Sequence, residues 1–260
     1  MARLDENDMV DITRKFSRVF DSNSETISFA DFDWMKIPET IPGGWLVYFR
    51  MLEDFSRIVA NNINTLGYYC EKMRVWNIVL EDYNVDLRDE ILFEFVDPLC
   101  VVALNLPYAI RCRFIFAIAH LSHQANRAIS SKWIDNIDTL AEDRKIDFGI
   151  AYKVARKWTI RDRLFEAIKA LFDENHAEIT KDFRHTYNHR MPSQEIVGVA
   201  AFVKREIGSV GKVHYKFGAA PRLDLTKMSG ELMAEFRKEL LAFERFKELV
   251  HEQTQAIGCS

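Results

Sequence analysis

"WLVYFRMLEDFSRIVANNINTLGYYCEKMR", residues 45 to 74, decides the fold. Leu46, Phe49, Leu52, Phe55, Ile58 and Val59 recur at three- and four-residue steps, the period of a helix that buries one face. Upstream, "MVDITRKFSRVF" is amphipathic, and "IPETIPGG" has the prolines and paired glycines of a connector. Downstream, the periodicity predicts helices over about 86–104, 107–131, 147–157, 160–190 and 228–253. A break is expected at Pro107, because proline disfavours helical geometry at the residue before it and suits the first turn of the next helix. After Pro192, "VGVAAFVKREI", "GSVG" and "KVHYKF" read as two strands around a turn, with Val213, Tyr215 and Phe217 on one side. The expected fold is mostly α, a helical bundle with a small β-hairpin at about 197–218 inserted before the last helix. Residues 1–44 form an N-terminal helix and connector in this reading, and residues 45–260 form the helical domain.

The chain has 260 residues, of which 48% are hydrophobic, enough to bury a sizeable core. The start is acidic and has no apolar leader segment, and "FIFAIAHL" at 114–121 is too short to span a bilayer. A cytoplasmic protein with no membrane partner is therefore expected. Cys70, Cys100, Cys112 and Cys259 show no CxxC pairing, so neither a disulfide framework nor a zinc finger is expected. The net charge of −4 argues against coating long stretches of nucleic acid. Its distribution is uneven: residues 1–100 hold 10 Lys and Arg against 19 Asp and Glu, whereas residues 151–222 hold 14 against 8.

The basic stretch contains "DFRHTYNHR", residues 182–190. On one continuous helix, Glu178, Asp182, His185 and His189 fall at steps of four, three and four and share a face. Ile179, Phe183 and Tyr187 would lie opposite, against the core, and Arg184 beside the polar row. Histidine titrates near neutrality without perturbation, so it can take a proton from a 2'-hydroxyl or give one to a leaving 5'-oxygen. Arginine suits the phosphate, whose oxygens its planar donors engage in pairs. Asn188 can hold a phosphate or orient a histidine, Tyr187 either stacks on a base or packs on Phe183, and Glu178 and Asp182 can tune the imidazoles.

This run resembles the motif of the HEPN superfamily: Arg184 matches its arginine, His185 the polar position after it, and His189 its histidine, with four residues between. The motif's histidine follows after four to six intervening positions, and Arg113 with His120 and Arg245 with His251, with six and five between, also fit, but in both a phenylalanine follows the arginine. The resemblance covers the motif and the helices between 147 and 256. It implies a metal-independent endoribonuclease with Arg184 and His189 catalytic, acting on RNA without a cofactor. It also implies a homodimer with facing motifs, a setting in toxin–antitoxin or antiviral defence, and an antitoxin or regulatory protein as a further partner.

Two alternatives stand beside this reading. Helical bundles grip metal ions with a carboxylate and a histidine three residues apart, a spacing shared by Asp173 with His176, Asp182 with His185, and Glu248 with His251. His120 and His123 of "HLSH" can contribute to such a site but read more simply as hydrogen-bonded helix histidines. The other alternative is a non-catalytic module that binds RNA, a nucleotide or a protein.

Overall fold

In the computed structural model, the 45–74 periodicity becomes α2, Leu46–Leu80, which runs one and a half turns past the predicted end. The structure describes residues 4–23, 28–35, 37–189, 203–207, 211–217 and 223–256. α2 starts from a tight turn in which the Trp45 N–H donates to the Pro42 carbonyl at 2.8 Å. α1, Glu6–Asn23, precedes it. Asn84 then caps α3, Val85–Ile91, its side chain accepting from the Leu87 N–H at 3.1 Å. A π-helical turn, Leu92–Val96, leads without interruption into α4, Asp97–Ile129. The expected break at Pro107 is therefore not found. Proline withholds one N–H from the ladder, and here packing of the apolar helix carries the chain through.

That continuity changes a second expectation. Val85–Ile129, taken as one helical run, contains an 18-residue window of mean hydropathy 1.5, of which 44% is buried. By length and composition alone it can cross a membrane, a property shared by core helices of soluble proteins.

α5, Phe148–Val154, and α6, Arg161–Lys169, follow. The single helix expected over 160–190 is in fact three: α6, α7 (Glu174–Ile179) and α8 (Phe183–His189). The breaks lie at left-handed residues, Phe172 at φ 53°, Lys181 at 55° and Asp182 at 51°. α7 ends in a Schellman motif, with the Asp182 N–H donating to the Ala177 carbonyl and the Lys181 N–H to the Glu178 carbonyl, at 2.6 and 3.2 Å. Lys181 stands where this motif favours glycine. β1, Val203–Ile207, pairs antiparallel with β2, Val213–Phe217, and α9, Leu225–Gln255, closes the chain. The expected hairpin is present ahead of the last helix. Its predicted residues 197–202, 208–210 and 218 lie outside the described residues.

The chain divides into two compact units. The first comprises residues 1–27, 67–105 and 174–234. In it, Trp76 of α2 is stacked between Phe16 of α1 at 4.5 Å and Phe95 at 5.2 Å, while Phe20 meets Tyr68 edge-on at 5.7 Å. Lys15 pairs with Asp82 at 2.6 Å and tethers α1 to the end of α2. The hairpin belongs to this unit. Val203, Ile207, Val213, Tyr215 and Phe217 are all exposed, and the pairing puts them on one face of the ribbon.

The second unit comprises residues 28–66, 106–173 and 235–260. Trp45, Tyr48, Leu52, Phe114, Phe243 and Phe246 are among its largest fully buried side chains, each contributing on the order of 1.5–3 kcal/mol of hydrophobic stabilisation. Some buried polar groups there pair with one another: the Tyr48 hydroxyl donates to Gln253 Oε1 at 2.8 Å, and Gln253 Nε2 donates to Ser122 Oγ at 3.1 Å. The Glu252 carboxylate accepts from the N–H groups of Thr159 and Ile160 at 2.7 and 3.2 Å, at the start of α6. Among the described residues, Cys70 and Cys100 are buried thiols and Cys112 is an exposed one.

Candidate functional site

The break at Lys181 and Asp182 dissolves the predicted four-residue row. Glu178 belongs to α7, Asp182 sits in the turn, and only His185 and His189 share a face of α8. Asp182 instead opens α8, its carbonyl accepting from the Thr186 N–H at 3.0 Å. The two imidazoles lie one turn apart with ring centroids at 5.4 Å. Phe183 is buried and anchors the helix, while Tyr187 is exposed and stacks on it at 5.2 Å.

Asn188 is held in place, its amide donating to Asn105 Oδ1 at 2.9 Å and to the Arg184 carbonyl at 2.8 Å. Asn105 is in turn fixed by donation to the Val101 carbonyl at 2.7 Å, just ahead of Pro107. Glu178, Asp182, Asn188 and His189 are exposed, and Arg184 and His185 are half-buried. Five positions along an α-helix turn a side chain by about 140°, so Arg184 and His189 leave the axis in divergent directions. Within one chain they meet at a phosphate only through the length of the arginine.

The carboxylate–histidine pairs of the metal alternative do not assemble as the spacing implies. Asp173 pairs with Lys238 at 2.9 Å, and His176 is buried beside Glu231, its Nδ1 3.5 Å from the carboxylate. Glu248 pairs with Arg245 and Arg163, and His251 Nε2 is 2.9 Å from Gln255 Nε2.

A different cluster forms in the second unit. His120 and His123, one turn apart on α4, face the segment between α4 and α5. His123 Nδ1 lies 3.0 Å from both oxygens of Asp135, and its Nε2 is 3.9 Å from Asp138 Oδ1. Asp135 also accepts from Trp133 Nε1 and from the Ile137 N–H, each at 2.9 Å. Burial raises the Asp135 carboxyl, but hydrogen bonds from His123, Trp133 and Ile137 outweigh it and hold the pKa below the ordinary value. His120 Nε2 is 3.9 Å from Asp143 Oδ1 and has no hydrogen-bond partner among the described residues. Burial lowers the His120 pKa, and the neighbouring His123 lowers it further against the opposing pull of Asp143. The "HLSH" spacing was visible in the sequence. The aspartates were not, because "WIDNIDTLAED" has no periodicity to say which carboxylates turn back towards the helix.

Compared with protein-family models, with curated proteins and with solved structures, the chain finds no match in any of the three.

Proposed function

We propose that the chain is a metal-independent endoribonuclease of the HEPN type, acting on RNA through Arg184 and His189 as a toxin or antiviral defence effector in the cytoplasm. The observation that supports this most directly is the accessible polar side of α8, where a guanidinium and two imidazoles stand within two turns. One imidazole, His189, takes the proton of the 2'-hydroxyl as that oxygen attacks phosphorus. The other, His185, protonated beforehand, gives its proton to the departing 5'-oxygen. Arg184 donates to the non-bridging oxygens, whose charge rises as the phosphorane forms. The products are a 2',3'-cyclic phosphate and a free 5'-hydroxyl, and no cation is consumed.

The divergence of Arg184 and His189 favours a homodimer, in which the arginine of one copy meets the histidine of the other. The exposed apolar ribbon of the hairpin, in the same unit as α8, supplies surface for such an assembly. An antitoxin or regulatory protein would act by covering the same polar side of α8.

The test is cleavage of total RNA by the full chain. Arg184→Ala and His189→Ala are each expected to slow it by about 10²–10³-fold with the circular dichroism spectrum unchanged. Variants that cut as fast as the parent, or products ending in a 3'-hydroxyl that vanish with chelator, refute the assignment. RNA binding without any cleavage supports the non-catalytic module instead.

A further inference from the structure

We propose that residues 152–163, the joint between α5 and α6, form a docking surface for single-stranded RNA. The choice of RNA as the polyanion rests on the nuclease reading; the surface itself belongs to the second unit, whereas α8 belongs to the first.

Tyr152–Arg163, "YKVARKWTIRDR", holds five Lys and Arg against one acid, in a chain whose net charge is −4. The Tyr152 hydroxyl donates to Asp162 Oδ1 at 2.8 Å and closes the segment on itself. Closure keeps the Cα atoms of Lys153, Arg156, Lys157 and Arg161 within about 20 Å of one another, so their charges act on one ligand. Lys153, Arg156, Lys157 and Arg163 are exposed. The neighbouring acids are engaged elsewhere. Asp162 pairs with Arg161 at 2.8 Å, and Glu248 stands 3.8 Å from Arg163 while also holding Arg245. Glu252 of α9 accepts from the Thr159 and Ile160 N–H groups. Among the described residues, Lys153, Arg156 and Lys157 take part in no ion pair, so no adjacent carboxylate neutralises them.

Aromatic rings decide which polyanion fits. The Arg156 guanidinium lies over Trp133, its Cζ 4.9 Å from the ring centre, and that of Arg161 lies over Tyr152 at 4.4 Å. Both rings are themselves fixed, Trp133 Nε1 by Asp135 at 2.9 Å and the Tyr152 hydroxyl by Asp162. A ring beneath a guanidinium holds its plane without cancelling its charge. The held plane presents edge donors that fork onto phosphate oxygens and an outer face on which an unstacked base can lie. A lipid headgroup offers phosphate but no base, and a duplex keeps its bases stacked inside, so lysines interleaved with ring-backed arginines fit a single strand. The contact is short, about two to three phosphates, in keeping with a chain too acidic to coat a long polymer.

The experiment is fluorescence anisotropy of the full chain with a 5'-labelled 2'-O-methyl oligouridylate, a strand that lacks the 2'-hydroxyl nucleophile and so reports binding apart from cleavage. Arg156→Glu combined with Lys157→Glu should weaken binding at least ~10-fold at about 0.1 M salt, and should reduce the slope of log affinity against log salt by about 1.4, each single-strand phosphate contact contributing about 0.7. Arg14→Glu combined with Arg18→Glu on α1 makes the same change in net charge and should alter affinity less than ~2-fold, since charges beyond a Debye length are screened. Circular dichroism checks that the variants fold. Absence of binding by the parent, equal losses in the two double variants, or an unchanged salt slope overturns the proposal. So does loss of binding to phosphatidylserine vesicles in the Arg156 and Lys157 variant with RNA binding intact, which would mark a lipid surface. RNA binding by the parent with no cleavage of total RNA sets aside the nuclease reading alone, whereas cleavage with unaltered binding in that variant sets aside the docking surface alone.

Discussion

Replacing Glu239 by glutamine should change how stability depends on pH, and in one direction only. Glu239 lies on α9 in the second unit, is fully buried, and has no hydrogen-bond partner for either oxygen among the described residues. Burial, and then the carboxylate of Glu235 one turn away, push its pKa well above the ordinary 4.5. Glu235 itself is occupied by the Phe172 N–H at 2.9 Å and by Lys238 at 2.6 Å. The folded protein thus keeps a proton on Glu239 that the unfolded chain releases above about pH 4.5. The unfolded state binds fewer protons in this window, so stability falls as pH rises, until the folded pKa is passed. One proton corresponds to a tenfold loss in the folded-to-unfolded ratio per pH unit. Glu239→Gln carries no such proton. Its amide adds a constant cost for its own unpaired groups, so the slope, and not the level, carries the test. Urea unfolding midpoints of parent and variant should diverge as pH rises above about 5, by up to about tenfold in equilibrium constant per unit until the folded pKa is passed. Parallel profiles would show that Glu239 ionises normally in the folded protein and refute the reasoning.

Tyr48→Phe removes the donor to Gln253 Oε1 and leaves that oxygen buried and unpaired, at a cost of about 1–3 kcal/mol. Urea denaturation measures it, and a change under about 0.5 kcal/mol would mean that Gln253 finds another donor. Lys181→Gly relieves a left-handed lysine at φ 55°. It should gain up to about 1 kcal/mol once the greater backbone entropy of glycine is subtracted. Slower hydrogen exchange at the Asp182 amide, which closes the Schellman motif, would report the same effect locally, and faster exchange would contradict it.

The helices that periodicity reveals are those that bury a continuous stripe: α1, α2 and α9 were legible because Phe16, Leu52 and Phe236 repeat within such stripes. The helix ends between α6 and α8 were hidden, because Lys181 occupies the place where glycine would have marked a stop. An uninterrupted apolar and polar alternation from Ile179 to His189 then looked like one helix. Pro107 misled in the opposite sense, as a stop signal overridden by packing. At α8 the residue types were legible, but their relative directions were not, since a two-residue turn removed Glu178 and Asp182 from the histidine face. The His120 and His123 cluster depended on contacts across an irregular segment, which only three-dimensional structure supplies.

The π-helical turn at Leu92–Val96 has a consequence for how this chain tolerates genetic change. Ile91 and Val96 are both fully buried, although five positions of ordinary helix would turn them about 140° apart. The Asp97 N–H reaches back to the Leu92 carbonyl, so the turn absorbs one residue more than an α-helix needs. Loss of a single codon here would convert the turn to ordinary pitch and leave the rest of α4 in phase with its neighbours. The same loss near Ala119 would rotate every later residue of α4 out of its place in the core.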